Sequence, residues 1–268
     1  MKKEASLPEE LYRNRRLVLS LAKNDFKTKY AGSYFGTVWA FIQPIVTICV
    51  YWFVFGLALR NGADRGVPFV LWLVAGLVPW FFIQEGLTGG TSALLEYNYL
   101  VKKVVFNIRI LPVVKVVSAV FVHCFFIVII LVIYTCMGYP PDFYALQLIY
   151  YSFCTFMLIL GLTYLTSSVV VFFRDLTQMI NIALQVGVWV TPIMWDFSDL
   201  GLTGVLTTIL KLNPVFYIVQ GYRDSLIDKV GIWEHPALTL YFWVFTAVVF
   251  FLGTKLFKKL QVHFADVL

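Results

Sequence analysis

The sequence predicts an all-α integral membrane protein: six transmembrane helices, an N-terminal amphipathic interfacial helix, and an external re-entrant helical hairpin before the last span. Three observations carry that reading. The 268 residues are 60% hydrophobic, 18% aromatic and only 13% charged, with a mean hydropathy of +0.81, more apolar surface than one soluble domain of this size requires. The apolar residues fall into six long runs, and the basic residues gather between alternate runs, as membrane orientation demands.

Residues 1–34 form a polar, cytoplasmic N-terminal segment on this reading, and 35–268 the membrane domain. Within the first, 9–30 read as the interfacial helix. Leu11, Val18, Ala22, Phe26 and Tyr30 gather on one side, with Arg13, Lys23 and Lys27 elsewhere. Arg15 and Lys29 fall near the apolar side and must snorkel. A cleaved signal peptide is not expected, because more charge follows Lys2, Lys3 and Glu4 where a short apolar core would stand.

The six spans are expected at about 35–59, 67–90, 110–137, 144–172, 178–195 and 234–257, each near the ~20 apolar residues that cross a bilayer. The second can continue past Glu85 through GLTGGTSALLE. Residues 91–111 mix apolar and basic side chains and suit a short helix lying across one membrane face. Residues 196–233 hold two apolar pieces, about 200–212 and 215–227, parted by Asn213-Pro214. Each is too short to span, which gives the re-entrant or interfacial hairpin.

Orientation follows from the 21 Lys and Arg residues. With both termini cytoplasmic, the inside holds Lys2, Lys3, Arg13, Arg15, Arg16, Lys23, Lys27 and Lys29, then Lys102, Lys103, Arg109 and Lys115, then Arg174, and finally Lys255, Lys258 and Lys259. The outside keeps Arg60, Arg65, Lys211, Arg223 and Lys229. That asymmetry fixes the orientation.

Several chemistries find no support. No GxxxxGK[ST] loop and no HExxH motif occurs, so neither P-loop ATP binding nor that zinc chemistry belongs to this chain. No catalytic residue, metal ligand set or bound cofactor is assigned, and nothing points to nucleic acid. Cys49, Cys124, Cys136 and Cys154 lie in apolar runs without metal-ligand spacing and read as small core residues. His123, alone within the third span, reads as an interhelical hydrogen-bond partner. Glu85, near the end of the second span, has two readings: a charge lining a path, or a headgroup-level carboxylate paired with a basic neighbour.

The most informative stretch is 171–199, VFFRDLTQMINIALQVGVWVTPIMWDFSD. Arg174 and Asp175 separate two apolar runs. Gln178, Asn181, Gln185 and Thr191 then recur at near-helical spacing, ahead of Pro192. Such a polar side must face other helices or a hydrated path, since an unpaired amide in hydrocarbon is costly. Tyr51 and Trp52 in the first span and Trp189 in the fifth lie deeper than an interfacial belt requires. They are either helix packing or surfaces on which sugar C–H faces can slide.

FFRDL, the glutamine-bearing helix and TPIMW together resemble the fourth-to-fifth span junction of permease subunits in bacterial ABC exporters of polysaccharides and teichoic acids. DFKTKYAGSYFGTVWAFIQP resembles the family's entry into the first span. ICVYWFVFG and VPFVLWLVAGLVPWFF are similar to the teichoic acid branch especially, and NPVFYIVQGYRDSL and the terminal FADVL also fit. The resemblance covers essentially the whole chain.

That resemblance implies a multi-pass permease of the bacterial cytoplasmic (inner) membrane that pairs with a second copy of itself and with two ATPase subunits. ATP and Mg would sit on those partners. The complex would export a lipid-linked polysaccharide or teichoic-acid-like polymer. The implied path runs along the first and fifth spans, with Tyr51, Trp52, Glu85, Gln178, Asn181, Gln185 and Trp189 as candidates. Arg174 and Asp175 would stand at the cytoplasmic mouth, either holding a lipid pyrophosphate or merely fixing the turn. Tyr97, Lys102, Lys103 and Phe106 would couple to the ATPase, and the 200–227 hairpin would match the family's external gate helices. The alternatives are an ABC export permease for a smaller lipid or drug, a membrane enzyme of polymer assembly, and a secondary transporter. An enzyme should show clustered carboxylates or His, and only Asp196 and Asp199 pair outside; a secondary transporter usually shows internal repeats, and none is evident.

Overall fold

The computed structural model describes residues 7–29, 31–58, 66–102, 107–197, 201 and 204–268, and among these every regular element is helical. α1 (Leu7–Arg13) and α2 (Arg15–Thr28) meet at Asn14. α2 is amphipathic as expected, but its buried face is Val18, Ala22 and Asp25, so a carboxylate sits within the apolar stripe. Arg15 is exposed and has no need to snorkel, while Tyr30 lies outside the described residues.

A 3-10 turn, Gly36–Val38, leads into α3 (Trp39–Tyr51), which continues as a π-helix over Trp52–Ala58. α4 (Phe69–Glu96) is the axis of the molecule. Its 28 residues run past Glu85 and rise about 42 Å. α5 (Asn98–Val101) is a single turn, followed by α6 (Ile110–Cys136) and, after a 3-10 turn, α7 (Gln147–Val170). Then come α8 (Leu176–Val190), α9 (Val205–Lys211), and α10 (Pro214–Arg223), which a π-helical turn extends through Asp228. α11 (Pro236–Leu260) and α12 (Phe264–Val267) close the chain.

α4 packs against α6, α7, α8 and α10, and α7 packs against α11. Small residues let these helices approach closely, the usual device where lipid removes any hydrophobic drive between helices. A Cβ on Gly90 would lie 2.1 Å from a methyl of Thr163, and one on Gly253 would lie 2.7 Å from the Gly161 carbonyl oxygen.

Five of the described helices are long and apolar enough to cross a membrane: Gly36–Leu57, Phe69–Glu96, Ile110–Cys136, Phe143–Val170 and Pro236–Val267. The expected fifth span is shorter than its apolar run. Leu176–Val190 has 15 residues, a rise of about 22 Å against a ~30 Å hydrocarbon core. It stops where Thr191, preceding Pro192, takes extended backbone with φ −75° and ψ 133°, the conformation that proline imposes on its predecessor.

Side-chain contacts sort the connections to two ends. At one end Arg109 donates to Gln261 at 3.0 Å and pairs with Glu10 at 3.5 Å, and the Phe172 and Phe264 rings lie 6.0 Å apart. The first and last described helices therefore share an end. At the other, Lys229 pairs with Asp142 at 3.0 Å, Tyr139 donates to the Gly66 carbonyl at 3.4 Å, and Asn213 donates to Thr191 at 2.9 Å. The Asn213-Pro214 pair is a helix start: Asn213 accepts from the Val215 amide at 3.0 Å and Pro214 takes the first helical position.

His123 joins three other helices. Its Nε2 lies 3.0 Å from Ser152 Oγ and 3.1 Å from the Tyr222 hydroxyl, and its ring stacks on Phe82 at 4.4 Å. The cysteine expectation is corrected. Cys154 is buried, but Cys49, Cys124 and Cys136 are exposed. In a chain this apolar, an uninterrupted hydrophobic run includes the lipid-facing side of a helix as well as the core-facing one.

Candidate functional site

α3, α4 and α8 enclose a cleft built from one polar stripe on each helix. On α3 the residues are Gln43, Thr47 and Tyr51, four apart. On α4 they are Gln84 and Thr88, and on α8 Gln178, Asn181 and Gln185. Two cavities, of about 520 and 360 Å³, share Thr47, Tyr51, Phe81, Gln84 and Asn181 and so form one space. Thr88 Oγ1 and Asn181 Oδ1 approach to 3.5 Å across it. Leu184 and Val188, on the adjoining stripe, are the buried residues that seat α8.

Aromatic side chains line the part of this cleft toward the ends of α3 and α8. The Tyr51 and Trp189 rings are 6.3 Å apart, and Phe55 lies 6.2 Å from Trp189. Of the seven candidate path residues, Tyr51, Glu85, Gln178, Asn181, Gln185 and Trp189 line the cleft. Trp52 does not. It begins the π-helical turn, is 40% exposed, and lies against Gly56. Gln43, Thr47, Gln84 and Thr88 were not singled out in the sequence, although the spacing of 43, 47 and 51 on one helical face was the available signal.

Glu85 has two neighbours of interest, a cavity and a cation. It borders the cleft, and it is ion-paired with Lys29, the C-cap residue just past α2. Beside it lies a further cavity of about 300 Å³ that shares Glu85 and Thr88 with the cleft. Lys115, 9% exposed, stands there between Asp25 of α2, at 2.6 Å, and Glu96 at the end of α4. Tyr97 donates to Asp25 at 2.8 Å and its ring lies 5.2 Å from the Lys115 ammonium. Burial, and next the Asp25 carboxylate, hold the Tyr97 hydroxyl well above the ordinary phenol range.

Arg174 and Asp175 are exposed, and no ion pair joins them among the described residues. Asp175 is the N-cap residue of α8 yet makes no side-chain cap. Lys102 is exposed after α5, while Lys103 and Phe106, like Asp199, Arg60 and Arg65, lie outside the described residues.

At the end of α8 away from Arg174, Arg223 holds the chain that leaves the helix. This residue is 3% exposed and donates to the carbonyls of Pro192 and Ile193 at 2.8 and 2.9 Å, with its guanidinium 3.5 Å from the Trp72 ring centre. Neighbouring Asp224 accepts from Gln220 at 2.8 Å and faces His235 at 3.7 Å. Burial pushes its carboxyl up to about 6, against smaller opposing effects of Gln220 and His235. Among the described residues no group of three or more His, Cys, Asp or Glu side chains is placed to hold a metal ion.

A helical membrane body with a polar cleft between its helices has the architecture of a transport subunit. The chain belongs to the ABC-2 type transporter family, whose model matches residues 16–227. It is similar to the O-antigen export system permease protein RfbA of Myxococcus xanthus, 25% identical over 260 residues that cover 97% of this chain and 98% of that protein. Two proteins of the same description from Klebsiella pneumoniae are each 24% identical over 255 residues, covering 94% of this chain and 95% of theirs.

Proposed function

We propose that this chain is the membrane-spanning permease of an ATP-driven exporter that carries a lipid-linked polysaccharide from the cytoplasm to the outer face of the bacterial cytoplasmic membrane. The observation that carries the reading is the cleft. Three helices turn amide and hydroxyl side chains toward a common space at membrane level, with aromatic rings beside them. A sugar polymer needs such a lining, because its hydroxyls cannot be stripped of water in hydrocarbon. The full-length similarity to O-antigen export permeases favours a glycan cargo; a teichoic-acid-like polymer remains within the same chemistry.

Two copies are needed on this reading. Ala40 is the one buried residue of the first span among the described residues, Ile45, Val46, Val50 and Phe53 are exposed, and α8 exposes Met179, Ile182 and Val186. Pairing these faces closes the open side of the cleft. Leu176–Val190 is the sixth crossing, completed by the non-helical 191–195 turn, whose residues 191–194 are buried within this chain and whose Pro192 and Ile193 carbonyls Arg223 satisfies. α9 and α10 form the external hairpin, α10 being buried against α4 and α7 while α9 is exposed. Both termini are cytoplasmic, where two ATPase subunits dock near 96–108. Exposed Arg174, at the start of α8, receives the lipid pyrophosphate.

Depletion of the chain tests the function. A lipid-linked glycan should accumulate on the cytoplasmic side while the corresponding surface polymer disappears. Normal surface polymer with unchanged lipid-linked pools would refute the assignment.

A further inference from the structure

The charged cavity between the interfacial helix and the ends of α4 and α6 abuts the cleft and shares two wall residues with it. Lys115 holds Asp25 of α2 and Glu96 of α4 together, and Tyr97 closes over the group through Asp25. About three turns away along α4, Lys29 at the C-cap of the same interfacial helix reaches Glu85, which is also a wall of the cleft. Glu85 and Thr88 belong to both spaces, so the Lys29–Glu85 pair ties the end of α2 directly to the cleft wall.

From this geometry we infer that Lys115 is a positioning residue in a charge-held joint, which transmits movement of the interfacial helix to the mouth of the cleft. The joint has the parts transmission needs. Asp25 and Lys115 are under one-tenth exposed, so their attraction is little screened by water or salt. Glu96 and the Lys29–Glu85 pair are partly exposed, so these contacts can break and re-form at low cost. A tight inner pair with a loose outer pair makes a hinge about Lys115, in which α2 pivots and Glu85 is released or recaptured. The chemistry of the joint is sequence-legible only in retrospect: Asp25 occupies the apolar stripe of α2, and Lys115 the first turns of a span.

The inference rests on the permease reading, and its test separates the two. The chain is produced with its ATPase partner, with Cys49, Cys124 and Cys136 replaced by Ala, and Gln185→Cys as reporter in the cleft. Labelling by a membrane-impermeant maleimide is compared in ATP and in ADP. The unaltered joint should change the labelling rate at least about fivefold between nucleotides, the low end of common coupling between sites. Lys115→Met should bring that ratio near one while ATP hydrolysis continues, and Lys115→Arg should preserve it. Lys29→Glu and Glu85→Lys should each reduce it and the double exchange should restore it. Because Lys29 and Glu85 are partly exposed, this second test holds even where Lys115→Met fails to assemble.

A ratio unaffected by Lys115→Met, a double exchange that restores nothing, or a reference ratio of one would overturn the joint. Surface glycan measured after deletion of the chain reports separately on the permease reading.

Discussion

Replacing Arg223 by Met should be among the most damaging single changes outside the cleft. The guanidinium is buried and donates to the carbonyls of Pro192 and Ile193 at 2.8 and 2.9 Å. Each bond from a charged donor contributes about 1.5 kcal/mol, and its absence leaves a carbonyl with no water to replace it. Stacking on Trp72 at 3.5 Å adds about 1–2 kcal/mol for a desolvated pair. Met retains most of the stem packing, so the loss should total about 4 kcal/mol. Taking ~2–4 °C per kcal/mol for a chain of this size, the unfolding temperature in detergent should fall by roughly 10 °C. Arg223→Lys keeps the charge but has neither the fork nor the flat face, and should lose about half as much. A Met variant that melts within about 2 °C of the parent would refute the pin and the anchoring of the 192–195 turn with it.

Other consequences can be checked in the same preparations. Purified alone, the chain should hydrolyse no ATP, because it has no P-loop; turnover with contaminants excluded by mass spectrometry would contradict the division of labour. Gly90→Ala should cost about 1–3 kcal/mol by overpacking, since its Cβ meets a Thr163 methyl at 2.1 Å, and adding Thr163→Ala should recover part of the loss. Asp224, raised from 3.8 to about 6, binds its proton more tightly folded than unfolded. It therefore stabilises the fold below about pH 4, and that stability is lost as pH rises through about 6. Asp224→Asn should remove this part of the pH profile. Arg174→Lys retains charge without the bidentate fork and should lower export without changing the unfolding temperature; normal export would leave Arg174 no role at the mouth.

The helical class and most of the spans were legible because hydropathy reports on length and composition, which lipid constrains strongly. The polar stripe of α8 was legible for the same reason: three amides on one helical face have few places to go. The partners of that stripe were not. Gln43, Thr47, Gln84 and Thr88 are single polar residues inside apolar text, and only the packing of α3 and α4 against α8 brings them together. Arg223 read as an outside charge by the positive-inside count. The structure buries it beneath the 192–195 turn, because cation counting says which side a residue is on but nothing of its depth. Asp25 and Lys115 escaped for a related reason, each being half of a pair whose other half lies ninety positions away.

The most direct measurement places a photoreactive phenylalanine analogue in the working exporter and asks which positions capture glycan. The account predicts glycan-bearing adducts from Tyr51, Gln185 and Trp189 in the cleft, dependent on ATP turnover, and none from Val128 or Ile149 on the exposed faces of α6 and α7. Capture at Val128 or Ile149 as strong as at the cleft, or none at the three cleft positions in a complex that still exports, would contradict it.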